Sequence, residues 1–209
     1  MVIVAEKTEV VVVEAGETRD IVCLNESGFR KAEVHRDATV NWYVAVNGDS
    51  DLKIQSHVVG EGGCSNIYFV FTGAGSSKLD LFAGNIFDAP NCTGDIVVKG
   101  VVRDNAKSKF VGEIDITLKG GGTDSYLKQD VLMMDPTARV DAVPSLEIKT
   151  NDVKASHGVS ITRLTDQDIF YLTSRGIPKD VSEKLILDGF LADICSKFPS
   201  EEVNDLLHV

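Results

Sequence analysis

The sequence predicts a mainly β domain over residues 1–164 followed by a small α-helical subdomain over residues 165–209. Three observations predict it. Short runs rich in valine, isoleucine and aromatic residues recur through the first part and are broken by glycine and polar turns. At Thr165 the apolar spacing changes from alternation to a helical period. The 43% hydrophobic and 25% charged content of the 209 residues suits a chain that buries its own core.

The β elements follow in order. Glu9-Val10-Val11-Val12-Val13, Ala38 to Val46, Leu52 to Val59, Asn66 to Phe71, Asp95 to Val102 and Phe110 to Leu118 alternate as strands do. Breaks fall at Ala15-Gly16, Asn47-Gly48-Asp49, Gly60 to Gly63, Gly73 to Gly75 and Gly120 to Gly122. Many short strands of regular spacing fit a sandwich, a barrel or a β-solenoid. Without a clean internal repeat the pattern alone favours a sandwich, and Asn47-Gly48 reads as a hairpin turn.

The helices come next. Thr165 with Asp168 forms a capping box that opens a helix through Ser174, and Arg175-Gly176 stops it. Pro178 stands where a second helix begins, with Val181, Leu187, Phe190, Leu191, Ile194, Cys195 and Phe198 largely on one face. A third short helix is expected after Pro199-Ser200.

A formal charge of -11, from 32 acidic and 21 basic residues, argues against nucleic acid and anionic membrane surfaces as partners. No stretch approaches the roughly 20 apolar residues of a membrane helix. Met1 to Glu9 lacks the basic-then-apolar order of a signal peptide, so a cytoplasmic location is expected. Cys23, Cys64, Cys92 and Cys195 are widely spaced with no C-x-x-C pair, which reads as free thiols rather than a clustered metal site. Cys64 and Cys92 suit small buried apolar positions, and Cys195 suits the helix core. There is no G-x-x-x-x-G-K-[ST], G-x-S-x-G or H-E-x-x-H motif, and Gly120-Gly121-Gly122 reads as a turn. No catalytic constellation stands out.

One segment is more specific. Val140-Asp141-Ala142-Val143-Pro144-Ser145-Leu146-Glu147-Ile148, then Asp152-Val153-Lys154-Ala155-Ser156-His157-Gly158, Asp166-Gln167-Asp168-Ile169-Phe170-Tyr171-Leu172, Ser174-Arg175-Gly176-Ile177 and Gly189-Phe190, resembles the end of the core of the SufB/SufD family of iron–sulfur cluster assembly proteins. The resemblance implies a right-handed parallel β-helix in place of a sandwich. It also implies a shortened member without the usual N-terminal helical domain. His157 matches a family histidine at the interface of two β-helix subunits, where a nascent cluster is held. Ser156 and Gly158 replace the acidic neighbours of SufB-type members and Ala138 their cysteine, so the chain looks SufD-like.

The further implications concern partners. The resemblance implies a non-catalytic scaffold, as a homodimer or as a heterodimer with a SufB-type paralogue, with a transient iron–sulfur cluster and no tightly bound cofactor. The helical tail matches the segment that docks a SufC-type ATPase, and Phe170, Tyr171, Arg175, Leu185, Phe190 and Leu191 lie in it. Read without the resemblance, a lone histidine after a strand is more often structural. Two other readings stand: a carbohydrate-binding or carbohydrate-active β-helix, against which one Trp and four Tyr weigh mildly, and a structural dimer that has lost cluster ligation.

Overall fold

A computed structural model describes residues 9–207 of the chain. The reading of Met1 to Glu9 as free of a signal peptide therefore falls, but for Glu9, outside the described residues. The order of elements is β1 (Glu9–Val13), β2 (Thr18–Leu24), β3 (Gly28–Val34), β4 (Thr39–Asn47), β5 (Ser50–Val58), β6 (Cys64–Gly73), β7 (Lys78–Phe87), β8 (Ile96–Val102), β9 (Lys107–Ile116), β10 (Thr123–Met133), β11 (Arg139–Ile148) and β12 (Val153–Arg163), then α1 (Asp166–Thr173), α2 (Lys179–Cys195) and α3 (Glu202–Leu207).

The odd-numbered strands form one six-stranded sheet and the even-numbered strands another. Every pairing of strands among the described residues is parallel. Successive strands lie in different sheets and each pairs with the strand two along, so the chain winds as a parallel β-helix. This is the fold that the family resemblance implies, and it corrects the sandwich favoured by pattern alone. Asn47-Gly48 is likewise no hairpin turn. Gly48, at φ +89, makes the corner by which the chain leaves the even sheet at β4 and enters the odd sheet at β5. A parallel neighbour is one whole turn of the solenoid away, and alternation within a strand carries no information about it.

Six strands were not among the runs read from sequence: β2, β3, β7, β10, β11 and β12. Charged residues occupy their outward positions, as in Lys78-Leu79-Asp80-Leu81 of β7, where the charged side chains are exposed and the leucines buried. Inward side chains stack in columns along the solenoid. Trp42, Ile67, Ile96 and Leu127 form one column in the even sheet; Leu52, Leu81 and Phe110 form one in the odd sheet. All are buried, and each such side chain contributes about 1.5–3 kcal/mol. The polar atoms that enter this interior are mostly paired: Trp42 Nε1 donates to Ser56 Oγ at 3.0 Å, and Ser65 Oγ bonds Asn85 Oδ1 at 2.9 Å.

Register on the outer face of the even sheet is held by a polar ladder. Asn41 Nδ2 donates to Asp20 Oδ1 (2.9 Å), Asn66 Nδ2 to Asn41 Oδ1 (3.0 Å), and the Tyr126 backbone N–H to Asp95 Oδ1 (2.9 Å). Farther along these strands the outer face is apolar. Ala45, Val70, Val101 and Leu132 form a second core with Leu191, Ile194, Phe198, Val203 and Leu207 of the helical tail. The tail is therefore packed onto the solenoid.

The tail begins as expected. Thr165 and Asp168 cap each other at the start of α1, and the bonds from Thr165 hold the Asp168 carboxyl below the usual carboxylate range. Pro178 precedes α2, and α3 follows Ser200. Two expectations for α2 are corrected. Val181 is exposed, and Cys195 is half-buried at the rim of the helix packing, because the sheet beneath contacts only part of the expected apolar face.

Candidate functional site

His157 stands in the middle of β12, the last strand of the even sheet, directly across from Leu127 of β10. The column that it extends runs through the solenoid interior, so His157 occupies an inward position. It is nevertheless exposed, because no further turn of the solenoid covers β12. Val153, Ala155, Val159 and Ile161 share its face, being opposite the buried Thr123, Ser125, Gln129 and Val131. Across from them, β11 offers Val140, Ala142, Pro144, Leu146 and Ile148 from its own inward positions. The end of the solenoid is thus an open apolar cross-section with one imidazole, bordered by two edge strands. Val159 and Ile161 are 39% and 47% exposed there, whereas the inward residues of β4, β6, β8 and β10 are buried.

The neighbours of His157 explain the local sequence. Gly158 faces outward, and a Cβ placed on it meets the Tyr126 hydroxyl at 2.6 Å. Tyr126 therefore fills the space in which a side chain at 158 would sit. Ala138 is fully buried at the corner between β10 and β11, where its backbone N–H donates to Asp135 O at 3.3 Å. A small side chain is what that corner admits.

Among the described residues no group of three or more His, Cys, Asp and Glu side chains is placed to hold a metal ion. None of the four cysteines is in a disulfide. Cys92 is buried with its thiol against Ala89 O at 3.1 Å, and burial pushes it up to about 11 against partial relief from the Gly63 and Gly62 backbone donors. It is therefore a protonated structural thiol at neutral pH. Cys64 is half-buried, accepting from Asn66 Nδ2 at 3.6 Å.

The six tail residues singled out in sequence divide into two groups. Phe170 and Tyr171 of α1 are 67% and 59% exposed, and the Arg175 guanidinium lies 3.8 Å over the Tyr171 ring. Leu185 is also exposed. Phe190 is half-buried, and Leu191 is fully buried against the sheet, where it anchors α2. A cleft of about 670 Å³ separates α1 and α2 from the ends of β10 and β12, lined by Leu132, Leu164, Tyr171, Ile186 and Phe190 among others.

Sequence reading missed the residue that fixes this geometry. Lys99 of β8 is 9% exposed, donates to Phe190 O at 2.6 Å, pairs with Asp193 at 2.6 Å and lies 4.7 Å from the Phe190 ring centroid. Its outward place in a strand gave no hint of a helix above it. Among the described residues no helix is long and apolar enough to cross a membrane.

A family model described as the SufBD core domain of SUF-system iron–sulfur cluster assembly matches residues 2–190, which takes in the whole solenoid and the start of the tail. The chain belongs to the SufBD core-domain family. Among curated SufBD relatives, the iron–sulfur cluster assembly protein SufD of Bacillus subtilis is 32% identical over 180 residues, 85% of this chain and 41% of that protein. A SufBD family protein of Mycobacterium tuberculosis is 27% identical over 186 residues, covering 84% of this chain and 47% of its own length. Another from Mycobacterium leprae is 27% identical over 189 residues, 21% of its length. The chain thus spans less than half of the SufBD relatives it matches.

Proposed function

We propose that this protein is a non-catalytic scaffold subunit of cytoplasmic iron–sulfur cluster assembly, built to pair with a second β-helix and to be driven by a SufC-type ATPase. The observation that carries this reading is the open end of the solenoid. Two long edge strands with unpaired backbone groups and exposed Val159 and Ile161 suit strand-to-strand pairing with another subunit. His157 then lies in the seam, with the growing cluster as cargo and not a resident cofactor. A neutral imidazole is a competent iron ligand.

One chain supplies no thiolate beside it, since Ala138 fills the corner and Cys92 is held protonated. Clusters are usually held by cysteine thiolates. A SufB-type paralogue that contributes cysteine is therefore the partner that suits cluster building, and a homodimer is the form that stores or stabilises the subunit. Phe170, Tyr171 and Arg175, with Leu185 and the rim residue Phe190, are the proposed ATPase contacts, an aromatic and arginine cluster of the kind that dominates interfaces. Leu191 serves by holding α2 in place.

Anaerobic reconstitution with iron and sulfide tests this reading, using the protein alone, with the ATPase, and with the paralogue. A visible chromophore is expected only in the presence of the paralogue, and His157→Ala is expected to diminish it. A chromophore indifferent to His157→Ala removes the ligand role, and failure to associate with either partner overturns the scaffold reading. The structural-dimer alternative is favoured by one observation, the lack of any three-ligand group among the described residues. It predicts association without a chromophore in any mixture.

A further inference from the structure

We infer that Gln129 is a positioning residue for the His157 imidazole. Gln129 is fully buried at an inward position of β10, and both Oε1 and Nε2 lack a hydrogen-bond partner. A buried amide left unpaired bears the full desolvation cost of each unmet group. An apolar residue of similar length would avoid that cost, for Gln129 lies between Leu127 and Val131 along its strand and between Val98 and Val159 across the sheet.

His157 is the polar side chain that the register brings nearest on this face. Gln129 is opposite Val159, and His157 is the next inward residue along β12, so the two are diagonal neighbours. With a rise of 3.3 Å per residue and strands 4.8 Å apart, their Cβ atoms are about 8 Å from each other. That is a span which a glutamine and an imidazole bridge by rotation about side-chain torsions. The other inward polar groups of β10 do not serve: Ser125 Oγ donates to Gly94 O, and Thr123 is at the far start of the strand, opposite Val153.

The chemistry follows from the carboxamide's two ends. Its Oε1 accepts from an imidazole N–H, or its Nε2 donates to the bare ring nitrogen. Either bond selects one tautomer and directs the remaining nitrogen toward the open end of the solenoid, as the second partner of a ligating histidine does. The functional importance of this bond rests on the seam role proposed above for His157; its existence does not.

Nitrogen-15 spectra of histidine-labelled full-length protein at neutral pH test the inference, with His157→Ala used for assignment. Wild type is expected to show one dominant His157 tautomer and a cross-relaxation contact between the Gln129 amide protons and the ring. Gln129→Leu, and Gln129→Met as a second apolar variant of similar length, are expected to melt no lower than wild type while the tautomer ratio moves at least about threefold. Unchanged tautomers in a folded variant, or no amide-to-ring contact in wild type, overturns the inference, and the wild-type contact decides if neither variant folds. A shifted tautomer together with iron binding indifferent to His157→Ala upholds the positioning role and removes the cluster role instead.

Discussion

Leu127 and His157 are register partners in the parallel pairing of β10 with β12, yet Leu127 is fully buried and His157 is exposed. The same inward position that Trp42, Ile67, Ile96 and Leu127 fill with apolar side chains passes, at the last turn, to an imidazole. A histidine in mid-column would be desolvated with its ring nitrogens unpaired. At the open end it keeps access to whatever covers the end.

Gly158 and Gly94 differ in what they tolerate. At Gly158 the obstacle to a Cβ is the tip of the Tyr126 side chain, which can swing away, so Gly158→Ala is expected to cost less than about 1 kcal/mol. At Gly94, with φ +151, the obstacle is the Ser65 carbonyl oxygen at 2.0 Å, and Gly94→Ala is expected to cost about 3 kcal/mol or more. Urea denaturation of the two variants checks the contrast.

Cys92 sets an alkaline limit. Its thiol is raised by burial to about 11, above the ordinary value of 9.0 that the unfolded chain takes. Between these values the unfolded chain has lost the proton that the folded chain retains, so stability falls as pH rises from 9 toward 11. Cys92→Ala is expected to flatten that part of the stability profile, read as melting temperature against pH. Alkylation of native protein at pH 8 is expected to spare Cys92.

Lys99 joins the solenoid to α2. Asp193 is largely exposed, so its ion pair is screened, and the bond to Phe190 O with burial of the lysine stem contributes most. Lys99→Ala is expected to destabilise the tail by roughly 2 kcal/mol. Hydrogen exchange should then accelerate in α2 and α3 while amides of β4 to β9 keep their protection.

Phe170 and Leu191 separate surface from support. Phe170→Ala and Tyr171→Ala are expected to leave the melting temperature within about 2 °C and to weaken capture of a SufC-type ATPase at least about tenfold. Leu191→Ala is expected to lower stability by about 2–5 kcal/mol through a cavity beneath α2. Calorimetric titration beside thermal melts distinguishes the two effects. Equal affinity for wild type and Phe170→Ala removes α1 from the docking surface.

Much of the candidate site was legible before folding was considered. His157 and its neighbours Ser156 and Gly158 lie in the segment that carries the resemblance, and the aromatic pair Phe170-Tyr171 follows the Thr165 cap. Gln129 and Lys99 were not legible. A glutamine among alternating residues and a lysine on an outward strand position look like solvated surface until their burial is known. The glycine at 158 likewise acquired its reason only from a tyrosine one turn of the solenoid earlier.

By itself the sequence determined the local matters: where strands give way to helices at Thr165, how α1 is capped, and which segment from Val140 to Leu191 marks the family. Those depend on backbone preference and on neighbours a few residues apart. The parallel turns came with the family resemblance and not from the strand pattern; the tertiary structure alone decided the register of those turns and that Asn47-Gly48 is a corner. It also decided that Leu191 is buried while Phe170 is exposed, and that His157 ends an apolar column. The reason is that strand pairing here joins residues a full solenoid turn apart, and alternation tells which residues share a face but not what that face meets.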